Sequence, residues 1–283
     1  MESTNSHKDV RLSDANSIRV CSELFDGQAG VFEQRAGLTE DCCRAIAQKV
    51  VEIANAKPGD LIVEIGSGTG QIGQWFDRAV RYAGFDLSAG MLKESSRCLD
   101  SSRWLIQADA NASWPLADGV ARAIFSSRAV HLLRQEHIAL EIFRVASSSG
   151  ATLILGRVER KPESIRARMA KEMIERLRRH GFVGRQGERQ NRRLFEMCCR
   201  RGALALKPVA VAQWRIFASP RQSLDSWRCL TGLGGIPVPA PTRAEILREL
   251  EGWAEEVFGG LDLEFESEET YVLTSLRVPQ SGT

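Results

Sequence analysis

The sequence predicts an α/β fold, a mostly parallel sheet with helices on both faces. Two observations carry that prediction. Short apolar runs alternate with segments of helical periodicity through the first 156 residues, and a glycine-rich turn follows the first apolar run directly. Thr39 is placed to cap a helix reaching about Ala54, whose Ile46, Ala47, Val50, Val51 and Ala54 share one face. Pro58-Gly59 ends it, and Leu61-Ile62-Val63-Glu64-Ile65 reads as a buried strand. Further strands are expected near residues 82–86, 104–108, 121–126 and 151–156. Helices are expected near 72–78, after a Ser88 cap, and over 135–145.

Gly66, Gly68 and Gly70 stand at alternate positions after that strand. Such a turn lets backbone approach a ligand where side chains would obstruct it. Glu64 inside the strand suggests a ligand carrying a cation or ammonium, which suits S-adenosylmethionine (SAM) better than a pyrophosphate cofactor. A second frame, Gly68-Thr69-Gly70-Gln71-Ile72-Gly73 followed by Asp86, matches the dinucleotide pattern GxGxxG. That frame begins two residues after the turn does, so its register relative to the strand is wrong. Asp86 closes the second apolar segment, where an acid can accept both ribose hydroxyls. Asp109 closes the third and could take an adenine amino group. Each acid alone reads as a solvated loop residue, but three in register after three successive strands do not.

Four segments resemble the class I SAM-dependent methyltransferases, and within them the group related to the ubiquinone/menaquinone methyltransferases. They are VEIGSGTG at 63–70, FDLSAGML at 85–92, QADA at 107–110 and WPLADG at 114–119, with FSSRAVHLL at 125–133 matching the region after strand 4. The resemblance implies a Rossmann-like seven-stranded sheet with a helical lid inserted after strand 5. It assigns Glu64, Gly66, Ser67, Gly68 and Gly70 to the methionine side of SAM and Asp86 to the ribose. Leu87 and Met91 would pack on the adenine, Asp109 and Ala110 would read its amino edge, and Ser126 would sit beside the sulfonium. Residues 25–37 look like the helix closing over the cofactor, with Phe32 where relatives often carry tyrosine. The acid that usually opens strand 4 is replaced by Ala121-Arg122, and Arg128 occupies a position commonly small or apolar.

The 283 residues are 43% apolar with a formal charge of +2, which excludes a disordered chain and a strongly steering polycation or polyanion. No apolar run reaches the ~18 residues of a membrane helix, and no signal-peptide pattern is present, so a cytoplasmic location is expected. Seven cysteines without regular spacing argue against a disulfide framework. The adjacent pairs Cys42-Cys43 and Cys198-Cys199 diverge on a helix and make poor chelates, so no metal site is expected.

Residues 1–20 are expected to form a flexible tail, 21–156 the SAM-binding core, and 157–278 lid helices and C-terminal strands on the substrate side of the same domain. Helices are expected over 162–180 and 190–200, a strand over 208–218, and one or two strands over 261–278. Residues 157–201 hold 15 Lys/Arg against 6 Glu, while 242–271 hold 2 Arg against 10 acids. The basic stretch reads either as an RNA-phosphate or acidic-carrier surface, or as a solvated face partly neutralised by the acidic segment. Aromatics are not interleaved with it as a stacking platform requires. The stripe Leu247, Leu250, Trp253, Ala254 and Val257 has the spacing of core, whereas Trp214 and Trp227 could line a pocket. Residues 232–237 read as a mobile or sharply turned loop.

Methyl transfer needs an aligned, desolvated nucleophile, and a general base if the acceptor is a hydroxyl or protonated amine. His131, just after strand 4, is the candidate base, and its alternative is a capping or packing role. No Asn/Asp-Pro-Pro-Tyr tetrapeptide or Pro-Cys pair follows strand 4, which disfavours adenine N6, glutamine amide and cytosine C5 methylation. The expected function is therefore SAM-dependent methyl transfer to oxygen, nitrogen or carbon of a small, apolar or aromatic metabolite. The alternatives are an RNA-modifying methyltransferase and a non-catalytic SAM-binding partner protein.

Overall fold

The structure is a computed structural model that describes residues 37–184 and 187–279. The expected tail, the closing helix and Phe32 lie outside the described residues. The first helix, α1 (Glu40–Ala54), begins where Thr39 Oγ1 accepts the Cys42 amide at 3.3 Å and ends on Asn55 in the left-handed region. It buries Cys42, Cys43, Ile46, Ala47, Val50 and Ala54. Strand β1 (Leu61–Ile65) is buried along its whole length because strands flank it on both sides. Then follow β2 (Arg81–Asp86), α2 (Ala89–Cys98), β3 (Trp104–Gln107), β4 (Ala121–Ser127), α3 (Gln135–Val145) and β5 (Ala151–Arg160).

The helix expected over 72–78 is only a 3-10 turn, Gly73–Trp75. Phe76 leaves it in an extended conformation to bury its ring against Tyr82 and Phe125, with centroids 5.6 and 6.2 Å away. Tertiary packing thus overrides a local helical pattern already weakened by glycine.

The sheet runs β3-β2-β1-β4-β5 in parallel, and then β10 (Phe265–Val278) pairs antiparallel with β5. The free edge of β10 is shared end to end by β6 (Leu204–Ala205) and β7 (Val209–Ala218). The sheet therefore has eight strands in seven lanes, where seven strands were expected, because the last lane is interrupted at Lys207-Pro208. Proline there removes an amide that a continuous strand would use. Strand order reverses at β1, with β2 and β3 on one side and β4 and β5 on the other. The mouth at the carboxyl ends of β1 and β4 is thus the topological switch point, where open α/β sheets bind ligands.

Apolar side chains cover both faces. One layer packs α3 and the sheet around Phe85, Ile124, Ile138, Ile142 and Leu153, and the other packs α1 against Tyr82, Phe125, Ile154 and Tyr271. A third core is separate. Met169, Met173 and Leu177 of α4 (Ile165–Arg179), Leu224 of α6 (Pro220–Arg228), and Ile246, Leu250 and Ala254 of α7 (Ala240–Phe258) pack together. The stripe expected on α7 is core at Leu247, Leu250 and Ala254, while Val257 is exposed. The intervening helix α5 (Gly187–Arg200) does not join this group, because its buried Leu194 and Cys198 belong to the α3 layer of the sheet. Residues 232–237 form a hairpin, β8 (Gly232–Leu233) with β9 (Ile236–Pro237), turning through Gly234 and Gly235 at φ 57° and 76°. The expected boundary after residue 156 falls inside β5, which pairs with β10 as far as Arg160. No described helix is long and apolar enough to cross a membrane.

Most ion pairs of the basic segment are internal. Arg160 and Arg166 both meet Glu269 (2.7 and 3.3 Å), Lys161 meets Glu268 (3.4 Å), and Arg176 and His180 both meet Glu249 (3.0 and 3.1 Å). The acidic C-terminal segment thus pairs with Arg160, Lys161, Arg166 and Arg176 of the basic one, and with His180.

Gly156 of β5 lies under the Tyr271 ring, and a Cβ there would stand 2.0 Å from the Tyr271 hydroxyl. That hydroxyl is bonded to Ser127 Oγ at 2.6 Å and has little room to move. Gly156→Ala is expected to destabilise the protein by about 1–3 kcal/mol through overpacking, read as a lowered denaturation midpoint at unchanged m-value.

Candidate functional site

The glycine turn at the switch point is held from below. Gly66 N and Ser67 N both donate to Phe85 O (2.9 and 3.2 Å), and Gly68 N donates to Asp86 Oδ2 (2.9 Å). All three glycines have positive φ (66°, 55° and 77°), but their surroundings differ. A Cβ on Gly66 would strike Ala129 Cβ at 2.3 Å, and one on Gly70 would strike Leu99 and Ser95 at 2.4 Å. Among the described residues, a Cβ on Gly68 would meet nothing within 4 Å. Gly66 and Gly70 are therefore needed for packing, while no described residue crowds Gly68.

Asp86 ends β2 at the rim of that turn. Its Oδ1 accepts the Ser88 amide (2.9 Å), and Ser88 Oγ accepts the Met91 amide (3.1 Å) to start α2. One carboxylate thus ties turn, strand and helix together. Leu87 is half-buried, and Met91 is buried under it. Asp109 follows β3 and accepts the Asn111 amide through Oδ1 (2.8 Å), beside buried Ala110.

Glu64 is 2% exposed, and its Oε2 accepts the Tyr82 hydroxyl at 2.6 Å. Burial pushes its carboxyl up to about 8; the Tyr82 hydrogen bond opposes this and the Asp86 charge adds to it. Ser126 is also buried, and its hydroxyl donates to Ile65 O at 2.8 Å, fastening β4 to the end of β1. Arg128 follows at φ 63°, a left-handed conformation costly for arginine. Burial pulls its guanidinium below the ordinary range; the Arg160 charge acts in the same sense, against Tyr271, Cys43 and Glu269.

The structure thus brings Glu64, Gly66, Ser67, Gly68, Gly70, Asp86 and Ser126 to one edge, with Leu87, Met91, Asp109 and Ala110 on the adjoining β2–β3 side. His131 lies in the 3-10 turn Val130–Leu132, its ring 3.3 Å from where a Gly187 Cβ would stand. His137 bonds the Ala112 carbonyl (2.7 Å), away from this edge. Trp214 packs on the α1 side of the sheet and Trp227 against the helical cap. A cavity of about 660 Å³ opens at the opposite, amino-terminal end beside Arg103 and Trp104, with none of the expected site residues in its lining.

Tyr82, Tyr271 and Glu269 were not singled out from the sequence. Glu64 is paired with Gly84 across β1 and β2, and a glycine opposite a buried acid is the signal that a neighbouring side chain must reach in.

Residues 63–154 match the family model described as a methyltransferase domain. Among solved structures, the 4+2 cyclase SpnF is similar over 93% of this chain and 97% of its own, at 16% identity and TM-score 0.56. A candidate methyltransferase of Bacillus halodurans C-125 is similar over 82% and 98%, at 17% identity and TM-score 0.54. The YcgJ protein of Bacillus subtilis is similar over 83% and 98%, at 18% identity and TM-score 0.51. At these identities the likenesses establish the fold. No curated protein sequence matches the chain.

A carboxyl that is protonated in the folded state and ionised in the unfolded one favours folding at low pH. Glu64 should therefore contribute stability that is full below its unfolded value of about 4.5 and is lost as pH rises towards about 8. Glu64→Gln is expected to flatten the decline in melting temperature between those pH values in the cofactor-free protein, measured by scanning calorimetry.

Proposed function

We propose, from the premise that this chain is a class I SAM-dependent methyltransferase, that it methylates oxygen, nitrogen or carbon of a small, apolar or aromatic metabolite. The observation that carries the cofactor reading is the positive-φ glycine turn at the switch point, whose Gly68 is crowded by no described residue and whose amide is held by the Asp86 carboxylate. The donor set fits SAM: a carboxylate at the end of β2 for ribose hydroxyls, a glycine-rich turn, and a buried acid in β1. Glu64, Gly66, Ser67, Gly68 and Gly70 would hold the methionine side and Asp86 the ribose. Leu87 and Met91 would pack on the adenine, with Asp109 and Ala110 at its amino edge. Ser126 contributes by fixing the end of β1, since its hydroxyl is already spent on Ile65 O.

SAM supplies an electrophilic methyl group, and the chain supplies position and desolvation. Acceptors enter from the β4 side, where Ser127 ends the strand and Arg128 and His131 follow it. His131 would take the proton released by a hydroxyl or amine acceptor. A small acceptor is supported by the lack of aromatics interleaved with the basic segment as a stacking platform requires, and by the pairing of Arg160, Arg166 and Arg176 with acids of the same chain.

The test is SAM labelled on its methyl group, incubated with the protein and a cell extract that is then separated into small-molecule, RNA and protein pools. Label in organic-soluble small molecules is expected. Label in RNA would overturn the acceptor class, and bound cofactor without label in any pool would favour the non-catalytic partner protein. Asp86→Ala should weaken SAM binding tenfold or more, since a hydrogen bond to a charged group contributes about 1.5–3 kcal/mol. Unchanged affinity by calorimetry would remove the ribose assignment. With an acceptor in hand, His131→Gln should lower kcat by about 100-fold at unchanged SAM affinity.

A further inference from the structure

Tyr82 enters the space beneath the glycine turn, and the fold makes unusual room for it. A Cβ on Gly73 would stand 2.4 Å from its hydroxyl, and one on Gly84 would stand 2.6 Å from it. Two glycines on separate segments are thus required by one phenol. The hydroxyl spends its proton on Glu64 Oε2 at 2.6 Å. The ring is fixed in turn, with Phe76 against it and the Arg103 guanidinium 5.8 Å from its centroid. Arg103 is itself immobilised by the Phe76 and Val80 carbonyls, at 2.6 and 3.4 Å.

We propose that Tyr82 is a positioning residue for cofactor binding: its hydroxyl orients the Glu64 carboxylate and favours its charged form, so that Glu64 can receive the ammonium of the SAM methionine moiety. This rests on the cofactor role given to Glu64 above. A carboxylate buried at this depth resists ionisation, and a donor aimed at one of its oxygens stabilises the anion without consuming the other oxygen. The groups that face this pair are Asp86 on β2, Cys98 on α2, Arg103 before β3 and Tyr271 on β10. Asp86 opposes ionisation of Glu64. Arg103 and Cys98 act on the phenol in opposite senses, and the Glu64 charge is felt at Tyr271. Of these groups, Tyr82 alone touches Glu64 through a hydrogen bond that favours the carboxylate.

The experiment is a double-mutant cycle of Tyr82→Phe and Glu64→Gln. Binding of S-adenosylhomocysteine, which carries the same ammonium, is measured by calorimetry from about pH 6 to about pH 9. Tyr82→Phe should weaken binding about tenfold near pH 7, because less of the Glu64 population is ionised. The gap from the unaltered protein should shrink as pH rises above about 8, because the variant's carboxyl, lacking the Tyr82 hydrogen bond, ionises only at higher pH. The ligand's own titration is common to both proteins and cancels in the ratio. In the Glu64→Gln background the same Tyr82→Phe change should alter affinity by less than about twofold.

A gap that is constant with pH, or one that persists undiminished in the Glu64→Gln background, would make Tyr82 a packing residue and overturn the proposal. Tyr82→Phe binding like the unaltered protein would overturn it as well. If the ligand binds and Asp86→Ala abolishes binding while Tyr82→Phe does nothing, only this proposal fails. If the unaltered protein binds no S-adenosylhomocysteine, the cofactor reading itself fails.

Discussion

The Asp86 carboxylate fastens the three elements that meet at the switch point. One oxygen holds the Gly68 amide of the turn, and the other holds the Ser88 amide that opens α2. A turn with three positive-φ glycines has high conformational entropy when free, so its shape depends on partners that fix it. The Phe85 carbonyl and the Asp86 side chain are those partners. The carboxylate that shapes the turn also stands at its rim, so the geometry of the loop and the charge offered to a ligand come from one side chain.

Beneath the same turn the polar economy is tight. Glu64, Ser67 and Thr69 are all buried, and the Ser67 and Thr69 hydroxyls have no hydrogen-bond partner among the described residues. Unpaired buried hydroxyls cost free energy and are tolerated where something else requires the arrangement. Glu64 and Tyr82 illustrate the requirement, since the acid is kept near neutral by burial and is directed by one phenolic donor.

The C-terminal half resolves a charge pattern that has two meanings in the sequence. Basic residues of β5 and α4 meet acids of β10 and α7 across the boundary between sheet and helical cap. Glu269, 1% exposed, receives both Arg160 and Arg166 through one oxygen. Burial makes that contact more consequential than the exposed pairs, which contribute about 0–1 kcal/mol each. It joins the last strand to the first helix of the cap, close to the segment after β4.

The parallel core was legible because each strand is a short apolar run ending in a turn signal, and periodicity survives without knowledge of partners. The order of Glu64, the glycines, Asp86 and Asp109 was legible for the same reason: Glu64 and Asp86 stand at or near the carboxyl ends of β1 and β2, and the glycines and Asp109 come just after β1 and β3. The sequence by itself therefore determined the fold class, the switch-point edge and the residues offered there. Only tertiary structure decided which helices form the cap, since α5 has helical spacing like its neighbours yet buries Leu194 and Cys198 on the sheet. It also decided that Phe76 cuts a helix short, that one lane of the sheet holds two strands, and that Tyr82 reaches Glu64 past two glycines. These outcomes depend on contacts between segments distant in the chain, where available volume and hydrogen-bond partners, rather than local propensity, set the lowest free energy.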